Sequence, residues 1–161
     1  MPDMLVKLYE LPSLEAALAA TSGQGVTVRR ALAPEKPVVT GWVRSHFPVF
    51  AAEVEIACTR LPIACFIALR GPQMLGFACY DATARNFFGP EAVSEEERGR
   101  GVGRALLLAA LHAQRAQGHA YAIVGGVGPA EFYAKCVGAI PIAGSSPGIY
   151  AGMLQQSPPA A

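Results

Sequence analysis

Apolar positions change period several times along the chain, and each change marks an element. Met4, Leu5, Val6 and Leu8 predict a short strand over Met4–Tyr9. Pro12 and Ser13 open a helix that runs through Ala20 and stops at Gly23. Val26–Ala31 reads as a second strand. From Pro34 onward Val38, Val39, Trp42, Val43, His46 and Phe47 recur at helical spacing, Pro48 breaks the run, and another helix follows over about Val49–Cys58. Ile63–Arg70 and Met74–Tyr80 flank the turn Gly71-Pro72-Gln73 and predict a hairpin. Asn86–Val93 is a third strand of this group, with Gly89-Pro90 in its middle. Proline cannot donate to a ladder, so pairing should bulge or break there. A Leu- and Ala-rich run from about Gly101 to Gln117 predicts the longest helix, capped by Gly118. Ala120–Val124 is a strand, Pro129 opens a helix through about Val137, and Gly138 ends it. Short strands are expected near Ile140 and over Ile149–Leu154, and the Ser/Pro/Ala-rich tail 155–161 is expected to be flexible.

Strands and helices in this order describe a mixed α/β domain, and 161 residues suit one domain with a real core. An apolar share of 52% leaves room for extra buried surface such as a homodimer interface. The net charge of +1, without a basic stripe, argues against nucleic acid as the partner. No apolar stretch approaches the roughly 20 residues of a membrane span, and Met1–Glu10 lacks the order of a secretory leader. Cys58, Cys65, Cys79 and Cys136 match neither zinc nor CxxC spacing. Buried, reduced thiols in a cytoplasmic protein without a metal are therefore expected.

The one concentration of ligand-binding chemistry is Val93-Ser-Glu-Glu-Glu-Arg-Gly-Arg-Gly-Val-Gly-Arg-Ala-Leu-Leu107. A strand ends, a glycine-rich loop turns, and a long helix begins. Gly99, Gly101 and Gly103 let backbone amides reach a ligand without Cβ atoms in the way. The first helical turn offers unpaired N–H groups and partial positive charge, both suited to phosphate. Arg98, Arg100 and Arg104 add charge-assisted donors. A nucleotide P-loop would end in Gly-Lys-Ser/Thr, whereas Arg104-Ala105 follows Gly103 here. A dinucleotide fingerprint would place its third glycine where Arg104 stands.

On Arg98, Gly101 and Gly103, which satisfy Arg/Gln-x-x-Gly-x-Gly/Ala, the sequence resembles the GNAT superfamily of N-acetyltransferases. The resemblance covers roughly Val26–Leu154. It implies a mixed, partly splayed central sheet flanked by helices, with residues 1–25 added as an N-terminal strand and helix packed on an acetyl-CoA-binding domain, 26–154. It implies that backbone amides across Arg98, Gly99, Arg100, Gly101, Val102, Gly103 and Arg104 hold the coenzyme A pyrophosphate. The end of the preceding strand, Glu91, Ala92 and Val93, would then pair with the pantetheine arm. Downstream, Pro129-Ala-Glu-Phe-Tyr-Ala-Lys-Cys-Val-Gly138 is similar to the family's Ala-x-x-Phe-Tyr helix. By that resemblance Tyr133 is the general acid that protonates the departing thiolate. The family's frequent Asn before this helix is replaced by Gly126-Val127-Gly128, one extra residue precedes Gly138, and Ala139 stands for the usual Phe.

On the acceptor side, attack by an amine needs a route for its proton. Glu91 lies two residues from Val93, on the same face of its strand, and is the candidate base. Asp81, Glu53, Glu55 and His46 are weaker candidates, better read as turn, helix-surface and packed residues. Trp42, Phe47, Phe50, Phe87 and Phe88 either wall an acceptor pocket or fill the core. The expected activity is transfer of acetyl from acetyl-CoA to an amine of a small molecule or peptide, by direct attack in a ternary complex. Another acyl donor or acceptor, or a non-catalytic acyl-CoA-binding regulator, stands as the alternative.

Overall fold

A computed structural model describes residues 1–155; the rest of the predicted tail, 156–161, lies outside the described residues. Seven strands form one sheet: β1 Met4–Lys7, β2 Thr27–Arg30, β3 Cys65–Arg70, β4 Gln73–Tyr80, β5 Phe87–Val93, β6 Tyr121–Val124 and β7 Ile140–Pro141. Their order is β2-β3-β4-β5-β6-β1-β7, antiparallel throughout except for the parallel pair β5–β6. The helices are α1 Leu14–Ser22, α2 Lys36–His46, α3 Ala51–Ala57, α4 Val102–Ala116 and α5 Ala130–Val137.

The two faces of the sheet are covered differently. On one, Phe77 of β4 meets the rings of Trp42, Phe47 and Phe50, each at 6.4 Å or less between neighbouring centroids in the cluster, so α2, α3 and the turn between them pack here. Ala92 is paired with Phe77 and shares this face. Glu91 and Val93 point to the opposite face, where their side-chain atoms approach Gly103 at the start of α4. α4 is the core of the molecule on that side: Val102, Ala105, Leu106, Leu107, Leu108, Ala110 and Leu111 are all buried. A helix buried on so much of its circumference is apolar nearly all round, which explains its Leu/Ala composition.

β5 is paired to β6 only at Phe87 with Ile123 and Phe88 with Val124. Beyond them come Gly89 and Pro90, where the β4–β5 register also shifts between Ala78 and Tyr80. Pro90 has no N–H to give, and the bulge turns β5 away from β6. The sheet therefore forks, as the Gly-Pro pair predicts. β1 lies within the far arm of the fork, between β6 and β7, with Met4 opposite both Val124 and Pro141.

Two elements differ from the sequence expectation. Ile149–Leu154 is not a strand: Gly148–Tyr150 forms a short 3-10 turn, and Ile149, Met153 and Leu154 are exposed. Gly144, Gly148 and Gly152 all hold positive φ, which repeatedly redirects the chain and prevents an extended run. Asn86 is not the first residue of β5 but sits before it at φ 67°, closing a turn with Asp81.

Gly76 fixes how closely β5 lies on β4. A Cβ there would sit 2.7 Å from Ala92 O and 3.1 Å from Val93 Cα. Gly76→Ala is expected to push β5 outward and cost about 1–3 kcal/mol, the usual penalty for overpacking. A urea midpoint equal to wild type would show that β5 has slack.

Candidate active site

Gly101 ends the loop and caps α4 with φ 85°, a left-handed conformation that residues with a Cβ adopt at a cost. The first bond of the helix runs from Ala105 N–H to Gly101 O at 3.0 Å. The N–H groups of Val102, Gly103 and Arg104 come before it and have no acceptor within the helix. They face a cavity of about 660 Å³ lined by Arg98, Gly99, Gly101, Gly103 and Arg104 at one end. Glu91, Ala92 and Val93 form a wall, Phe47 and Phe50 lie on the side of α2 and α3, and Pro129, Phe132 and Tyr133 close it from α5.

Two of the residues expected in the loop do something else with their side chains. Val102 is buried in the core, and Arg100 turns to Glu97 at 3.7 Å. Glu97, only 8% exposed, accepts a two-pronged ion pair from Arg70 of β3, at 2.6 and 2.9 Å. This pair, with the charge of Arg70 and then of Arg100 beside it, holds the Glu97 carboxyl below the usual range. The acidic stretch Glu95–Glu97, a short 3-10 turn, is thereby tied to the hairpin. Gln24 adds a second tie, its Nε2 donating to Arg100 O at 3.0 Å and to Ala20 O at 3.3 Å. Arg98 Nε donates to Val93 O at 3.3 Å. The pattern of residues along the chain gives no sign of the Arg70–Glu97 and Gln24 contacts.

Tyr133 and Glu91 meet inside the cavity wall. Tyr133 Oη donates to Glu91 Oε2 at 3.5 Å, the outer limit of a hydrogen bond. Phe88 and Phe132 hold the phenol ring edge-on, at 6.1 and 5.1 Å between centroids. Glu91 Oε1 is shielded from solvent and has no hydrogen-bond partner. With no cation beside it, burial pushes the Glu91 carboxyl up to about 8, opposed only by the bond from Tyr133. Burial first, and the nearness of Glu91 second, push the Tyr133 phenol well above its ordinary value. At neutral pH both groups carry their protons.

The other acidic and aromatic candidates go elsewhere. Asp81 holds Asn86 N–H at 2.5 Å within its turn, Glu55 pairs with Arg44, and Glu53 accepts from Thr83 Oγ1. His46 is stacked on Trp42 at 4.3 Å, away from this cavity. Among the described residues no three His, Cys, Asp or Glu side chains gather in a metal-holding group.

Residues 62–136 match the family model described as acetyltransferase (GNAT) domain. Among solved structures the fold is similar to the glucosamine N-acetyltransferase region of a fungal multi-domain GH3 β-N-acetylglucosaminidase, with a TM-score of 0.73, 13% identity, and coverage of 88% of this chain and 19% of that one. It is also similar to a GCN5-related N-acetyltransferase from Sphaerobacter thermophilus, with a TM-score of 0.62, 17% identity, and coverage of 88% and 48%. A Drosophila protein gives a TM-score of 0.56 at 17% identity, with coverage of 88% and 47%. At these identities the likeness is one of fold, and the chain spans half or less of each of these solved chains. No curated protein matches it. The domain match covers a little under half of the chain, and the forked sheet agrees with it in fold.

Because burial raises the Glu91 carboxyl, the folded protein binds its proton more tightly than the unfolded chain does. Stability contributed by that proton is whole below pH 4.5 and is lost as pH rises to about 8. Glu91→Gln should therefore raise Tm relative to wild type by an amount that grows between those pH values and then levels. A difference in Tm that does not change with pH would show Glu91 ionised in the fold. Arg70→Met, remote from the cavity, should weaken coenzyme A binding by several-fold by releasing Glu97; calorimetric titration measures it.

Proposed function

We propose that the protein transfers acetyl from acetyl-CoA to an amine of a small molecule or peptide, by direct attack within a ternary complex. The observation that carries this reading is the continuous cavity from the free amides of α4 to the Tyr133–Glu91 pair at the fork. An anionic pyrophosphate suits the first end. Past Phe88 and Val124 the two strands no longer pair with each other, and an amide-bearing arm can lie against β5 there. Every group proposed to touch the donor falls within 26–154, while 1–25 supplies β1, which completes the far arm between β6 and β7. The lack of a described helix long and apolar enough to cross a membrane, and three buried free thiols at Cys58, Cys65 and Cys79, favour a cytoplasmic setting.

In this reaction the amine nitrogen forms a bond to the thioester carbon and the C–S bond breaks. Glu91, in the ionised fraction that a value of about 8 allows, takes the proton the nitrogen sheds. A base whose conjugate acid sits near 8 is well matched to this task near neutral pH. The thiolate takes the Tyr133 proton, and the protonated Glu91 restores it across 3.5 Å. A protein that only sensed acyl-CoA has no use for such a pair beside the thioester.

Tyr133→Phe should lower kcat by roughly 10²–10⁴-fold, the ordinary span of acid–base assistance, with acetyl-CoA affinity nearly unchanged. Wild-type turnover under conditions where chemistry limits the rate would make Tyr133 a packing residue. Gly101→Trp should abolish acetyl-CoA binding in a folded protein, because its side chain would crowd the amides of α4. Retained binding sinks the assignment of the cradle.

A further inference from the structure

One peptide of the cradle has two available settings, and its own residues do not choose between them. Gly101 stands at φ 85°, and glycine adopts that sign of φ and its opposite about equally well. The two choices correspond to two orientations of the Arg100–Gly101 peptide. The bond is trans, so its C=O and N–H point in opposite directions. In one setting the cavity that Gly101 lines receives an N–H. In the other it receives a carbonyl oxygen, which repels a phosphate. Gly101 N–H has no backbone acceptor among the described residues. The carbonyl of Arg100 is held from outside the loop.

The hold comes from Gln24, in the turn that follows α1. Its Nε2 bridges two carbonyls, Arg100 O at 3.0 Å and Ala20 O of α1 at 3.3 Å. Gln24 itself stands on a fixed base. Gly23, Gln24 and Gly25 each donate a backbone N–H into α1, at 3.1, 2.9 and 2.9 Å, and Val26 N–H donates to Thr21 O at 3.0 Å. Thr21 is buried, so this turn is anchored in the core. The Arg100 guanidinium is drawn meanwhile to Glu97. One residue of the loop is thus gripped at its carbonyl and at its side chain by two different parts of the fold. Gln24 does not line the cavity, and it lies outside residues 62–136 that match the family model.

We infer that Gln24 is a positioning residue for the cradle: by holding the Arg100 carbonyl outward, it aims Gly101 N–H at the pyrophosphate. This rests on the acetyl-CoA reading above. Gln24 touches no part of the ligand and acts only through the Arg100–Gly101 peptide. Without it the peptide turns over at little cost, because glycine accepts both settings. Apparent affinity then falls by the fraction of molecules that keep the N–H inward. The Gln24 side chain is exposed, so water competes for both carbonyls and the bond is worth a modest factor. The fold does not depend on it. The segment before β2 therefore has two duties: β1 completes the sheet, and the turn after α1 sets the cradle.

Gln24→Met keeps the length of the side chain and removes the N–H, and Gln24→Ala removes both. Coenzyme A affinity is measured by calorimetric titration, Tm without ligand, and amide line widths by NMR on isotope-labelled protein. Affinity is expected to fall about fivefold in each variant, within the worth of one neutral hydrogen bond, which leaves about one molecule in five with the N–H inward. Tm should not change. The Gly101 amide signal of the ligand-free variants should broaden as the two settings exchange, and should coincide with wild type at saturating coenzyme A. Unchanged affinity in both variants, or a loss without broadening at Gly101, overturns the inference and leaves the cradle in place. A loss of affinity matched by a fall in Tm overturns it too, since Gln24 then serves the fold. If wild type binds no coenzyme A, the acetyl-CoA reading falls and takes this assignment with it.

Discussion

Everything at the site depends on β5 parting from β6 after one short stretch of pairing. Two parallel strands that share a register at Phe87 and Phe88 would ordinarily continue side by side. Gly89-Pro90 prevents it, by withholding an N–H and inserting a bulge opposite β4. The cost is the ladder bonds that β5 and β6 would otherwise share beyond Phe88 and Val124. That cost is tolerable in a cleft that a ligand with its own amides can fill. The position of the helix follows too: the loop that leaves β5 at Val93 delivers the start of α4, at Val102, to one end of the cavity.

Charge within the cleft is arranged to agree with an anionic ligand. The loop between β5 and α4 contains three consecutive glutamates, which would seem to repel a pyrophosphate. Glu97 is taken out of play by Arg70, and the clasp also anchors the loop to the hairpin. Glu91 Oε1 also lies close to the cradle, 3.5 Å from where a Gly103 Cβ would be. Its burial keeps it protonated at neutral pH, so it adds no negative field there. The same desolvation that costs stability would thus remove a conflict with a pyrophosphate and, in the proposed reaction, supply a proton carrier of suitable strength.

The elements were largely legible in the sequence because each is encoded locally. The hairpin is announced by Gly71-Pro72-Gln73, α4 by its Leu/Ala run and Gly118, and the fork by Gly89-Pro90. The cradle and Tyr133 could be nominated because glycine spacing and a short helix motif are contiguous. The contacts that tune them could not. Arg70 and Glu97 are 27 residues apart, Gln24 and Arg100 are 76, and Tyr133 and Glu91 are 42. Periodicity tells which face of an element is buried but not which neighbour buries it. Glu91 could be named as a candidate base from its place on the strand, but its burial without a cation is a property of the folded surroundings. Tyr150 was read into a strand, because Ile149–Leu154 is apolar and glycine's redirection of the chain is not visible in hydropathy.

The position of β1 has a consequence for how the molecule is made. The near arm, β2 to β5, is built from neighbours in sequence and can assemble from a contiguous stretch of chain. The far arm cannot: Met4 must wait for Val124 and then for Pro141, because it pairs with both. Contacts of that sequence separation form late and slowly. On a ribosome the chain would therefore present a finished half-sheet, with β5 as a raw edge, until Tyr121–Val124 has emerged to form β6. Gly89-Pro90, which opens the cleft in the mature protein, also makes that waiting edge a poor template for other chains.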